Sequence, residues 1–200
     1  MIRLFDILVS IFALILIFIP CCIIAFLIRM DDRGPVFFLQ RRVGRDLQEF
    51  SIIKFRTMAV SGDNHEKDQR SDSFAEKQEL RNYFQTTLPN DPRFTSVGQK
   101  IRPAHLDELP QFLNVLAGQM SIVGVRPDTP VQEVDYPGDY WEKRHLHRPG
   151  ITGPAQLERG QEGIPARMAS EMLWLENKSL KFYLTIIGRT IKKVISRNSF

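Results

Sequence analysis

Two adjacent carboxylates, Asp107 and Glu108, lie within the sequence RPAHLDELPQF, residues 102–112. On a helix, neighbouring side chains point about 100° apart, so these two acids would not pair with each other. A solvent-exposed helix face would explain the acids but not the apolar residues around them, which are Leu106, Leu109 and Phe112. The acidic pair is therefore either an accident of the surface or part of an active site.

Basic residues near a predicted strand could supply the positive charge that an anionic substrate needs. The segment at residues 49–58, EFSIIKFRTM, is predicted to form a strand. Lys54 and Arg56 would then lie on one face, because side chains two residues apart in a strand point the same way. Together with Arg41 or Arg42 they would form a cationic pocket; the alternative is a solvated strand face.

The composition indicates a globular protein with a mild excess of positive charge. The chain has 200 residues, 43% hydrophobic and 25% charged, with a net charge of +4 and a pI near 9.2. This balance suits one domain and an anionic partner, such as phosphate groups, nucleic acid or an acidic lipid surface. The adjacent Cys21 and Cys22 exclude a disulfide framework and are interpreted as small apolar residues, with palmitoylation as the lesser alternative.

The N-terminal region is apolar enough to enter a membrane. Residues 7–28 contain no charged side chain, and as a straight helix these residues would extend roughly 33 Å, enough to cross a bilayer. A cleaved signal peptide is disfavoured because no small-residue cleavage site follows, and a core helix would be unusually apolar. Pro20 lies within the run and should kink the helix.

The distribution of basic residues leaves the membrane topology open. Arg3 precedes the apolar run, and four arginines follow it, at positions 29, 33, 41 and 42. Positive charge on both sides does not place the N-terminus clearly outside. A helix that bends at Pro20 and returns to the same face fits these facts, and a simple span fits them equally well.

The rest of the chain predicts short strands among helices. Strands are expected at 36–44 and 49–58, and helices at about 73–87, 97–101, 107–116 and 166–196. Ser73 and Glu76 form a predicted capping box, and Gly118 should end the third helix. The last part, residues 179–195, mixes apolar residues and cations in a way that suits a membrane surface or, alternatively, a core-facing helix. His145 and His147 have no metal-ligand spacing and are predicted to be surface residues.

Four motifs now permit a comparison with a known family. KFRTM (54–58), DPRFTSVGQKIRPAHLDELPQFLNVLAGQMSIVGVRP (91–127), RPGITGPAQL (148–157) and LENKSL (175–180) follow the apolar segment in this order. Together they resemble the bacterial sugar transferase family, the small monotopic phosphoglycosyl transferases. The resemblance covers nearly the whole chain.

The resemblance implies a fold, an activity and a location. The fold would be α+β and mostly helical, with a re-entrant membrane helix broken at proline (residues 1–30) and a cytoplasmic catalytic domain (residues 31–200) with interfacial amphipathic helices. The enzyme would transfer sugar-1-phosphate from a UDP-sugar to polyprenyl (undecaprenyl) phosphate and release UMP. It would act at the bacterial inner membrane in contact with lipids, and downstream glycosyltransferases are possible partners.

The resemblance also assigns roles to particular residues. Asp107 would be the nucleophile, forming a phosphosugar–aspartate intermediate, and would contact a Mg²⁺ ion; Glu108 would assist it. The substrate diphosphate needs fixed positive charge. The residues expected to bind substrate are Lys54, Arg56, Arg102, Arg126, Pro127 and Arg148.

Several positions depart from the family pattern. Val125 stands where the motif around Arg126 usually has a proline, and Ile19 replaces a serine before Pro20. Tyr183 and Glu171 each replace a common aspartate. Because the acidic pair is intact, we expect an active enzyme; the alternative is a non-catalytic membrane-anchored scaffold. A nucleic-acid binder is disfavoured, since no recognition helix or RNA-binding motif is present.

Overall fold

The structure is a computed structural model that describes residues 2–59, 73–82, 91–158 and 163–196. Its helices are α1 (Ile2–Asp32), α2 (Phe74–Asn82), α3 (Ser96–Ile101), α4 (Gln111–Leu116), α5 (Gly138–Arg144), α6 (Pro154–Leu157), α7 (Ile164–Glu176) and α8 (Leu180–Ile195). Its strands are β1 (Phe37–Val43), β2 (Glu49–Phe55), β3 (Ser121–Val123) and β4 (Gly150–Thr152). The α+β, mostly helical class predicted from the sequence is confirmed.

Helix α1 is long and apolar enough to cross a membrane by length and composition. It continues from Ile2 to Asp32 as one helix through Pro20, so the break that we expected there does not end the helix. A proline removes one backbone hydrogen bond and bends a helix, but it need not terminate it.

Both ends of α1 are held by the rest of the domain, whereas its middle is not. In the first turns, Asp6 is buried and accepts hydrogen bonds from Ser121 Oγ at 2.9 Å and from Tyr183 Oη at 2.7 Å. Near the other end, Ile24 and Ile28 are buried in a cluster with Phe55 and Ile101. None of the residues 11–23 is buried.

Two small sheets organise the remainder. Strands β1 and β2 form an antiparallel hairpin in which Phe37 pairs with Phe55, and β3 pairs in parallel with β4. A Cβ atom on Gly150 would lie 2.0 Å from the backbone nitrogen of Gly124, so this close pairing requires glycine. The main core lies beside these strands and comprises Phe50, Ile52, Val115, Met120, Ile122, Val123, Val125, Trp174, Tyr183 and Ile186.

The predicted elements agree with the structure in most places. The two N-terminal strands and the helix at 97–101 are confirmed, and Gly118 follows α4 with a positive φ of 83°. Glu76 N donates to Ser73 Oγ at 3.2 Å at the start of α2. The predicted continuation of that helix to residue 87 lies outside the described residues.

The segment at 166–196 is helical as predicted, but it is divided into two helices, α7 and α8. Ser179 has an extended backbone conformation, and its Oγ accepts a hydrogen bond from Phe182 N at 3.2 Å, which begins a new helix. Helix α8 buries Tyr183 and Ile186 in the core and leaves other apolar side chains exposed, namely Leu184, Ile191 and Val194. It therefore has a core-facing side as well as an exposed apolar side.

Candidate active site

The acidic pair lies in a short turn that precedes α4. Asp107 and Glu108 belong to a 3-10 turn, Leu106–Glu108, and α4 begins only at Gln111, so the predicted helix from residue 107 is wrong at its start. Pro110 explains the difference, since it has no N–H to donate back to the carbonyl of Leu106. The turn packs against β2 and α3.

A close contact between α3 and the end of β2 helps to hold this turn. A Cβ atom on Gly98 would lie 2.0 Å from the carbonyl oxygen of Thr57, so only glycine fits there. Thr95 N also donates to Thr57 O at 3.0 Å. Helix α3 is thereby fixed beside the strand from which Lys54 projects.

Asp107 is the buried member of the acidic pair. Its relative exposure is 7%. Burial raises the pKa of the Asp107 carboxyl to about 6, against the opposing charge of Lys54, while the neighbouring Glu108 adds to the increase. A perturbed carboxyl with a specific charge partner is typical of a functional site.

Glu108 behaves in the opposite way because it forms a salt bridge. Its Oε1 lies 2.6 Å from Lys54 Nζ. Burial raises the pKa of Glu108, but the charge and hydrogen bond of Lys54 outweigh burial and hold this pKa below its ordinary value, with help from Arg126. Glu108 is therefore ionised at neutral pH.

Three of the predicted cations lie near the acidic pair. Besides Lys54, the charge of Arg102 lowers the pKa of Asp107, and the charge of Arg126 lowers that of Glu108. The Arg102 guanidinium lies 4.8 Å from the centroid of the Phe94 ring. Arg126 is exposed at the protein surface.

The other predicted substrate-binding residues have different contacts. Arg56 is buried, pairs with Asp32 at the end of α1 and donates to Pro35 O at 2.5 Å. Arg148 Nε donates to Gly118 O at 2.6 Å and lines a separate cavity. Pro127 is buried, and its carbonyl accepts a hydrogen bond from Arg42.

Sequence reasoning did not find a buried ionic network behind Arg126. Arg144 Nη1 lies 2.8 Å from Asp128 and its Nη2 3.0 Å from Glu171, and all three side chains are almost fully buried. Arg167, Tyr136 and Tyr140 complete the network. The only readable signal was the i, i+4 spacing of Arg167 and Glu171 on one helix.

This network fixes the backbone on both sides of Arg126. The Arg126 N–H donates to Glu171 at 3.3 Å, and its carbonyl accepts from Arg144 Nη2 at 2.9 Å and from Arg167 Nη2 at 3.2 Å. The exposed Arg126 side chain thus projects from a rigid backbone. Val125, the departure from the family pattern, is buried in the core.

The prediction that His145 is a surface residue is wrong. Its side chain is fully buried, and Nδ1 lies 2.7 Å from the carbonyl oxygen of Trp141. Burial, followed by the charge of Arg144, lowers the pKa of His145 to about 4, so the imidazole is neutral. His147 is half-buried.

A cavity of about 340 Å³ lies next to Arg126. It is lined by Arg126, Ala155, Gln156, Gly163, Ile164 and Arg167. Gln156 Oε1 is buried and has no hydrogen-bond partner in the part of the chain that the structure describes. A buried acceptor without a donor favours a ligand that carries an N–H or O–H group.

The donor set near Asp107 constrains any metal ion. Among the described residues, no group of three or more histidine, cysteine, aspartate and glutamate side chains is arranged to hold one. Mg²⁺ needs only one or two carboxylates when phosphate oxygens and water complete its coordination. Asp107 has no hydrogen bond or ion pair within the described ranges, so its carboxylate is available. These residues fit a Mg²⁺ ion whose other ligands are phosphate oxygens and water.

Comparison with known proteins gives a consistent result over the whole chain. A family model described as bacterial sugar transferase matches residues 1–197. The exopolysaccharide production protein ExoY of Sinorhizobium fredii is 36% identical over an alignment of 202 positions. The alignment covers 99% of this chain and 87% of that protein.

Some of the relatives that match are longer than this chain. A UDP-glucose:undecaprenyl-phosphate glucose-1-phosphate transferase of Klebsiella pneumoniae is 38% identical over 96% of this chain and 39% of its own length. A UDP-N-acetylgalactosamine-undecaprenyl-phosphate N-acetylgalactosaminephosphotransferase of Aeromonas hydrophila is 34% identical over 96% of this chain and 43% of its own length. The chain thus spans less than half of these two relatives.

Proposed function

This chain belongs to the bacterial sugar transferase family and is a phosphoglycosyl transferase, and we propose that it transfers sugar-1-phosphate from a UDP-sugar to undecaprenyl phosphate. The observation that carries this proposal is the buried Asp107 beside the Lys54–Glu108 salt bridge. The donor would be a UDP-linked hexose or N-acetylhexosamine. The product would begin the synthesis of a bacterial polysaccharide or other glycoconjugate.

The first step uses Asp107 as the nucleophile. A carboxylate oxygen attacks the phosphorus that bears the sugar, a bond to that phosphorus forms, and the bond to the bridging oxygen of the diphosphate breaks. UMP leaves with the electron pair, and the phosphosugar stays on Asp107 as an acyl phosphate. A pKa of about 6 leaves the carboxyl mostly ionised at neutral pH and therefore nucleophilic.

The second step releases the product and restores the carboxylate. An oxygen of undecaprenyl phosphate attacks the same phosphorus and forms a bond to it. The bond between that phosphorus and the Asp107 oxygen breaks, and the electron pair returns to the carboxylate. Glu108 is a weak proton acceptor because its pKa is lowered, and little base is needed since the second pKa of a phosphate is near 6. Its principal role would be to hold Lys54 in position toward the diphosphate.

The surrounding groups suit a nucleotide diphosphate. Lys54, Arg102 and Arg126 lie close enough to the acidic pair to alter its pKa values, and fixed cations stabilise charge that develops on a transferred phosphoryl group. The cavity beside Arg126 would hold the uridine, whose N–H suits the acceptor of Gln156. A Mg²⁺ ion held by Asp107 would neutralise diphosphate charge when bound.

The contacts of α1 support a membrane-bound enzyme with a re-entrant helix. Both ends of α1 pack on one domain, and the middle of the helix carries exposed apolar residues such as Phe12, Ile15 and Phe18. A straight crossing would carry one end away from that domain. We therefore propose that α1 enters the inner membrane from the cytoplasmic face and returns to it.

One assay tests the proposed reaction. The full-length protein, reconstituted with undecaprenyl phosphate and Mg²⁺, is given a panel of UDP-sugars, and UMP is measured. We expect release of UMP, loss of release in Asp107→Asn, and a phosphosugar adduct on Asp107 by mass spectrometry. A non-catalytic scaffold would release no UMP from any donor.

A further inference from the structure

A second cavity, of about 450 Å³, lies beside the first turn of α1. Its lining is formed by Ile2, Arg3, Asp6, Arg45, Ser121, His147, Arg148, Lys178, Ser179 and Leu180. Neither carboxylate of the acidic pair lines it. Arg3, which lines the cavity, donates a hydrogen bond of 2.7 Å to Val115 O at the C-terminal end of α4. Asp107 precedes the N-terminal end of the same helix, which is about 9 Å long. The helix α4 therefore separates Asp107 from this cavity.

The cavity holds more positive than negative charge. Among the described lining residues, four carry cationic side chains, Arg3, Arg45, Arg148 and Lys178, and one, Asp6, is an acid. Asp46, which is not among the lining residues, lies 3.0 Å from Arg45. Four cations against these two carboxylates leave an excess of two positive charges.

The acid in the cavity is already engaged by neutral donors. Asp6 accepts hydrogen bonds from Ser121 Oγ, from the backbone N–H of Ile122 and from Tyr183 Oη, at 2.7 to 3.0 Å. Tyr183 is one of the two positions at which the sequence replaces an aspartate that is common in the family. Asp6 therefore takes its hydrogen bonds from neutral groups and not from the cations of the cavity.

The cations retain free hydrogen-bonding capacity. Arg148 uses Nε to reach Gly118 O, but within the described residues neither its Nη atoms nor Lys178 Nζ donates a hydrogen bond. Lys178 Nζ instead lies 6.0 Å from the centroid of the Trp174 ring. Burial, and then repulsion from Arg3 and Arg45, lowers the pKa of Arg148; burial and the charges of Arg148 and Arg45 lower that of Lys178. Asp6 opposes both shifts but does not reverse them.

We propose that this cavity binds the phosphate of an anionic phospholipid headgroup, with Arg148 and Lys178 as its principal donors. Arginine can hold a phosphate through two parallel hydrogen bonds, and the lysine adds a point charge. The cavity adjoins the end of the apolar helix, where Leu4 and Leu8 are exposed, and this places it at headgroup depth. Ile2 and Leu180 provide apolar wall for the start of the lipid chains. This inference rests on the proposed membrane association of α1 and not on the chemistry at Asp107.

Native mass spectrometry of the detergent-solubilised full-length protein tests this site. Phosphatidylglycerol, phosphatidylcholine and inorganic phosphate are titrated separately, without UDP-sugar, so the result is independent of catalysis. We expect the wild type to retain phosphatidylglycerol over phosphatidylcholine. The double variant Arg148→Gln/Lys178→Gln should weaken phosphatidylglycerol binding by about tenfold or more.

Two further variants make the result specific. Lys178→Gln alone removes a side chain without a hydrogen bond to the fold, so it should weaken binding with little change in melting temperature. Lys100→Gln/Lys143→Gln removes the same charge from exposed positions and should leave binding unchanged. Equal losses in this control would show general surface electrostatics, and equal affinity for inorganic phosphate would show a soluble ligand; either result would overturn the proposal.

Discussion

The ammonium group of Lys54 lies 2.6 Å from Oε1 of Glu108. The same positive charge also lowers the pKa of the neighbouring Asp107, although burial keeps that pKa raised overall, at about 6. One cation therefore serves two adjacent acids whose pKa values are driven apart. Carboxyls with separated pKa values are typical of sites in which the two acids have different roles.

Removal of the Lys54 charge should move the pH dependence of the reaction. In Lys54→Met, burial of Asp107 is no longer opposed by that charge, so the pKa of Asp107 rises further. We expect the acidic limb of the UMP-release profile, normalised to its own maximum, to move up by roughly one pH unit. Initial rates measured across the pH range check this prediction.

The matched control for this variant keeps the charge. Lys54→Arg retains a cation beside Glu108, so its acidic limb should stay where the wild type has it, even if its maximal rate is lower. An unchanged limb in Lys54→Met would mean that a different group controls the acidic side of the profile.

Asp107→Asn should abolish turnover and stabilise the fold near neutral pH. The folded state raises the pKa of Asp107 from 3.8 to about 6, so it binds more protons than the unfolded state in that interval, and the stability of the wild type falls as pH rises through it. Above about pH 7 the ionised, buried carboxylate costs the wild type roughly 3 kcal/mol, which the amide avoids.

Denaturant unfolding of the metal-free proteins measures this difference. The gain in Asp107→Asn should be full near pH 7 and should disappear near pH 4, where the wild-type carboxyl is protonated in the folded state. A constant gain at both pH values would point to packing rather than ionisation as its cause.

Local sequence patterns predicted the acidic pair and some of its cations but could not identify long-range partners. Strand alternation predicts that the side chains of Lys54 and Arg56 point the same way, but it does not show which residues they contact. Asp32, at the end of a helix far from β2 in the sequence, pairs with Arg56. Likewise, Arg148 lines the same cavity as Arg3, which comes from the first turn of α1.

The sequence also could not show which charged residues are buried. Arg144 and His145 lie in the charged sequence WEKRHLH, and His145 was predicted to be a surface residue. Both are fully buried, because Asp128 and Glu171 neutralise Arg144 from distant segments. By contrast, the division between α7 and α8 had a local signal, since Ser179 is a favourable N-cap.

The network behind Arg126 gives a stability prediction with a neighbouring control. Arg144→Leu removes one of the two arginines that neutralise the buried carboxylates of Asp128 and Glu171. We expect the free energy of unfolding to fall by about 3–5 kcal/mol. Lys143→Ala removes an exposed salt bridge with Asp139 and should change it by less than about 1 kcal/mol. Chemical denaturation of both variants measures the contrast, which comparable losses would contradict.

The contacts of α1 predict where its two ends lie relative to the membrane. Arg3 and Asp6 fasten the first turns to the domain, and Asp31, through its contact with Val97 N at 2.9 Å, fastens the last. Because one domain holds both ends, they should face the same compartment. Leu4 and Arg33, which are exposed near the two ends, are suitable positions for labelling.

Single cysteines report on this topology once Cys21 and Cys22 are replaced by alanine. Leu4→Cys and Arg33→Cys variants are treated with a membrane-impermeant maleimide in spheroplasts and in inside-out vesicles. A re-entrant helix predicts that both positions react only in the inside-out vesicles, since both ends are then cytoplasmic. A helix that spans the membrane predicts opposite labelling at the two positions, and that outcome would require one set of end contacts to be absent in the membrane.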